Sequence, residues 1–183
     1  MDTAIQSHFD HLHAEDKEKQ YEAFHAIMKA MDQPVDWAYD VWDELVANLT
    51  HKSNHERSRA AQFLCGLAKS DPEKRMLADF NAVWKVTYDE KFVTARHTIQ
   101  SIWKIGLAGE EQKALLLEHL VDRFKNGTSE KNYTLIRNDI LQGLRNLYDE
   151  IKDEQIKEIA LSLIEEVEDE KYKKKYEKIW KNA

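Results

Sequence analysis

The chain has little of what organises sheets and cross-linked folds: two prolines, five glycines and one cysteine in 183 residues. A single cysteine excludes an internal disulfide, and Cys65 sits in an apolar stretch where it reads as a small core residue. A reducing, cytoplasmic setting is the expectation. Few glycines and prolines mean few turn signals, and β-branched residues are sparse, so strands are disfavoured and helix is favoured. No run approaches the length of apolar sequence that crosses a bilayer, so no membrane partner is expected. The first residues, "MDTAIQSHFDHLHAED", lack a basic end followed by an apolar stretch and do not read as a secretory signal. No phosphate-binding loop, nucleophile elbow or kinase signature occurs, and no cofactor is implied. "HER" at 55–57 lacks the second histidine of a zinc-protease motif.

What is present is a patterned, charged, half-apolar chain. Apolar residues make up 42% and charged residues 33%, which places the chain among folded soluble proteins rather than disordered ones. The net charge of -7 disfavours nucleic acid, because phosphate contacts need clustered Lys and Arg. Apolar residues recur at three- and four-residue steps almost throughout, which predicts an all-α protein of about nine helices. The expected spans are 16–31, 37–50, 53–69, 72–87, 90–107, 110–125, 129–149, 153–167 and 169–182. Ser53 with Glu56 has capping-box spacing, and "SDP" at 70–72 has the composition of a helix start. The short connections predict antiparallel helix hairpins within one domain. Residues 1–15 are expected to be a flexible end and 16–35 a capping helix.

A repeat emerges when alternate helices are aligned. Arg57 is followed by Ala60 and Leu64 at +3 and +7, Arg96 by Ile99 and Trp103, and Arg137 by Ile140 and Leu144. The arginines are 39 and then 41 residues apart, and Lys173 with Tyr176 and Trp180 is a weaker fourth copy. A period near 40 residues with two helices in each marks a stacked helical array, because one pair cannot bury both its apolar faces alone. These residues resemble HEAT repeats, whose second helix opens with an arginine and then places apolar residues at +3 and +7. The resemblance covers about residues 36–182. It implies a right-handed α-solenoid of about four helix pairs, with the arginines as a structural ladder knitting neighbouring turns.

A solenoid of this kind holds a protein or peptide on an extended face. Positions beside the ladder carry polar residues suited to such binding. These are Gln62, then His97, Ser101 and Lys104, then Asn138, Gln142 and Arg145, with Arg59 as a freer arginine on the third predicted helix. The expected function is therefore non-enzymatic binding or scaffolding. An alternative comes from the stretch 41–69, which is similar to early repeats of the HEAT-like DNA glycosylases that excise alkylated purines. That resemblance would give roles to Asp89 as the acid, to Trp84, Tyr88 and Trp103 as aromatic walls, and to Arg96 or Arg137 on phosphate. Two other clusters stand out. His8, His11 and His13 have metal-ligating side chains, but they fall in a polar segment expected to fray, and no metal is assigned. The lysine-rich "KYKKKYEKIWKN" at 171–182 reads as a helix with one apolar stripe and a solvated basic face.

Overall fold

In the computed structural model, which describes residues 1–183, the chain is helical throughout and contains no strand. Ten α-helices follow one another: α1 Thr3–His11, α2 Lys17–Ala30, α3 Ala38–Asn48, α4 Asn54–Leu67, α5 Arg75–Val86, α6 Phe92–Ser101, α7 Glu110–Asn126, α8 Tyr133–Ile151, α9 Glu154–Glu165 and α10 Glu170–Trp180. Contacts run in two series. α2, α4, α6, α8 and α10 touch in that order, and α3, α5, α7 and α9 touch in theirs. Consecutive helices from α3 to α10 join the two series, α7 meeting the segment Ile102–Leu107 that follows α6 rather than α6 itself.

Aspartates open four helices. The side chains of Asp2, Asp16, Asp153 and Asp169 accept hydrogen bonds from backbone N–H groups in the first turns of α1, α2, α9 and α10. Each satisfies a donor that the helix itself cannot pair. The expected capping box of α4 does not form. Ser53 makes no side-chain cap, and Glu56 turns instead to Arg59. At "SDP" the helix starts later than its composition suggests. Asp71 reaches forward to the N–H groups of Arg75 and Met76, while Ser70 accepts from Val35 N–H across the fold. Lys74 takes the left-handed conformation just before α5.

The helix beyond the nine expected, α1, lies in the segment expected to be a flexible end. Ile5, Phe9 and Leu12 form one helical stripe, and Leu12 is buried. Phe9 packs edge-on to Trp37 and to Phe63, with ring centroids 5.8 and 5.9 Å away. Phe24 of α2 stacks on the same Phe63 at 5.5 Å. Phe63 is fully buried, so it is the anchor for both α1 and α2. Phe63→Ala should cost roughly 3–5 kcal/mol and loosen both helices, as read by chemical denaturation.

The helix expected over 90–107 divides. Its second half, Ile102–Leu107, tightens into a 3-10 helix wedged between α4, α7 and α8. Gly106 permits this approach. A Cβ there would meet Leu147 Cδ2 at 2.7 Å, closer than side-chain carbons pack. Gly109 then turns the chain into α7 with φ +154°, a backbone shape that side chains rarely tolerate.

Candidate functional site

The three repeat arginines begin at equivalent places on α4, α6 and α8 but meet different partners. Arg57 grips Asp89 with two donors, Nε to Oδ2 at 2.6 Å and Nη2 to Oδ1 at 2.9 Å, and gives Nη1 to the carbonyls of His51 and Lys52. Asp89 lies just before α6, so this pair bridges one helix pair to the next. Arg96 holds Asp139 of α8 the same way, at 2.7 and 2.8 Å. Both aspartates are buried, with side chains 6% and 5% exposed. Burial works to raise the Asp89 carboxyl, but the Arg57 donors and the Lys91 N–H outweigh it and hold the group below the usual range. Arg137 has no carboxylate. Its Nε donates to the Phe124 carbonyl at 2.9 Å, and its guanidinium lies over the Phe124 ring.

The expected polar face is not one continuous surface. Arg59, Gln62 and His97 come together, with Ser58 between them. Gln62 donates to Ser58 Oγ at 3.1 Å, and that hydroxyl stands 3.4 Å from His97 Nδ1. They border a cleft of about 330 Å³ between α2, α4 and α6 that also takes in Lys17, Tyr21 and His55. Ser101 is buried and turns back to the His97 carbonyl. Lys104 is half-buried in the 3-10 segment, and Asn138 is half-buried on α8. Gln142 is exposed and bonds within its own helix to Asn146. Arg145 pairs with Asp149 within α8 and ties α8 to α10 through the Ile179 carbonyl.

Arg59 is not the free arginine its position suggests. It donates to the Leu12 carbonyl at 2.9 Å, to Glu56 at 3.2 Å and to Gln20 at 3.0 Å. The helix α1, invisible to periodicity alone, positions the first of these acceptors. Arg59 thereby fixes α1 and α2 against α4 and forms one wall of the cleft.

The residues that the glycosylase resemblance would employ are separated into three settings. Asp89 gives both oxygens to Arg57, and Oδ1 also accepts from Lys91 N–H. Trp84 and Tyr88 face Arg123, whose guanidinium carbon lies 3.7 Å from the Tyr88 ring centre. Trp103 packs against Gly143 of α8.

Two charged residues are absent from the sequence-based expectations although their spacing marks them. Lys113 and Arg123 lie on the apolar stripe of α7 with Leu116, Leu120 and Phe124, and both are buried. A charge there must be paired. Arg123 donates to the Thr87 hydroxyl and carbonyl and to Glu130. Lys113 bonds Asp153 at 2.6 Å, which raises the lysine and lowers the aspartate from their ordinary values.

His8, His11 and His13 lie on α1 and the turn after it, and no group of three or more His, Cys, Asp or Glu side chains is gathered in metal-holding geometry. No helix is long and apolar enough to cross a membrane. No family model, curated protein or solved structure matches the chain.

Proposed function

We propose that the chain is a binding protein, a HEAT-like right-handed array of helix pairs that holds an acidic peptide segment of a partner in the cleft between α2, α4 and α6. One observation carries this reading. On a chain of net charge -7, the cleft is lined by Lys17, His55, His97 and Arg59, the last already paired with Glu56, and by no carboxylate. Tyr21 stands 66% exposed at its edge, with the His25 ring against one side of it at 4.2 Å between centroids. Aromatic and arginine side chains beside polar groups are the usual anchors of protein recognition. The closed arginine rungs support the array by making α4 and α6 a firm floor, since a bidentate arginine pair fixes geometry as well as adding energy.

The test is fluorescence polarisation with labelled acidic peptides that carry one aromatic residue, measured against basic peptides of equal length. Binding of the acidic set, weakened by salt and lost in Lys17→Glu/His97→Ala, is the expected result. Equal binding of both sets, or no effect of the double substitution, would sink the proposal. Release of alkylated bases from DNA at low salt would replace it with the glycosylase reading.

A further inference from the structure

The open fork of Arg137 borders a second cavity, far along the chain from the peptide cleft and independent of that reading. The pattern of the rungs says what is missing there. Asp89 follows Arg57 by 32 residues, and Asp169 follows Arg137 by the same interval. Both aspartates accept a hydrogen bond from the N–H two residues on, Asp89 from Lys91 and Asp169 from Lys171. Asp89 closes on its arginine, whereas Asp169 and Arg137 form no ion pair. Both instead line a cavity of about 360 Å³. Only Nε of Arg137 finds a hydrogen-bond partner, so its two Nη groups remain free to donate.

The charges around this cavity select a ligand. Arg137 supplies the cation, and Glu166, Glu168 and Asp169 supply carboxylates. Glu166 is engaged with Lys125 and Asp169 with the α10 cap, whereas Glu168 has no partner in the protein. A simple anion entering here would be drawn to the guanidinium and repelled by the acids. A simple cation would face the reverse. A ligand bearing both charges satisfies both sides. The other two arginines take a carboxylate by two parallel bonds from Nε and Nη2, whereas Arg137, with Nε on the Phe124 carbonyl, has its two Nη groups for the same bidentate grip. Tyr133 and Tyr172 add aromatic surface, and the volume lies at the small end of ligand pockets.

We infer that the cavity binds a free α-amino acid, its carboxylate on the Arg137 fork, its ammonium toward Glu168 and Asp169, and its side chain against Tyr133 and Tyr172. The ligand stands where a direct Arg137–Asp169 pair would close the third rung. It links α8 to the start of α10 through its own two charges.

The experiment is a thermal-shift screen of the full chain with the free L-amino acids at millimolar concentration, followed by calorimetric titration. At least one amino acid should raise the melting temperature and bind. Its N-acetyl and carboxamide derivatives, each lacking one charge, should bind at least about tenfold more weakly, as should the free acid to Arg137→Gln and to Glu168→Gln. If Arg137→Gln does not fold, the two derivatives on the native chain and the Glu168→Gln variant still decide. The inference fails if no amino acid binds the native chain, if the N-acetyl form binds as well as the free acid, or if Glu168→Gln leaves affinity unchanged.

Discussion

The rungs between α4 and α6 and between α6 and α8 are closed, whereas the rung between α8 and α10 is open. The same residue type, at the same place in the repeat, acts differently according to what faces it. Arg57 and Arg96 each commit Nε and Nη2 to a carboxylate supplied by the next helix pair. Arg137 meets a carbonyl and a ring, and keeps two donors for something else. Neighbouring helices of this series are therefore held by unlike forces. Buried carboxylates join α4, α6 and α8, while α10 is held to α8 by Tyr176 and Trp180 in the core and by two bonds to carbonyls, Tyr176 to Thr134 at 2.8 Å and Arg145 to Ile179 at 3.0 Å.

This difference can be broken from the strong side first. Asp89→Ala strands a half-buried guanidinium and removes a carboxylate that is 6% exposed. It should destabilise the fold by about 3 kcal/mol in urea denaturation, the low end of the cost of breaking a buried pair. Arg96→Ala should cost roughly 1–3 kcal/mol, less because the Arg96 side chain is 32% exposed and partly screened. An unchanged melting temperature in either variant would remove the structural reading of that rung.

Acid should act on the closed side as well. The folded-state value of Asp89 is depressed below its ordinary 3.8, so its stabilising contribution is present above that value and is lost as pH falls through the depressed one. Asp153, lowered first by its bond to Lys113, adds to the same loss. Stability should therefore decline as pH drops below the ordinary carboxylate range, and Asp89→Asn should flatten that decline while lowering stability at neutral pH. An identical acid profile in Asp89→Asn would show that the rung is not the sensor. The smallest effect is expected on the open side. Arg137→Gln removes one hydrogen bond to a carbonyl and should cost about 1 kcal/mol or less without ligand.

Helical class and the arginine spacing are legible in the residues because a 3.6-residue period and a period near 40 residues survive in plain sequence. Partners are not legible in the same way. The acid for Arg57 comes from the turn before α6, but the acid for Arg96 comes from within α8, so no fixed offset finds both. The helix α1 is hidden because its polar, histidine-rich composition suggests fraying. Its stripe of Ile5, Phe9 and Leu12 is short, and only Trp37 and Phe63, distant in sequence, make it worth burying. Arg59 reads as free for the same reason, since its acceptor is the Leu12 carbonyl of that segment. The cleft between α2, α4 and α6 is half visible. Gln62 and His97 stand out beside the ladder, but Lys17 and Tyr21 join them only because α2 lies against α4.

Double-mutant cycles on two rungs test the central distinction most directly. Arg57 with Asp89 and Arg137 with Asp169 would each be changed singly and together to alanine, with stabilities read from denaturant unfolding. The closed rung should show a coupling energy of roughly 1–3 kcal/mol and the open one a coupling near zero. Equal coupling in both pairs would contradict the account.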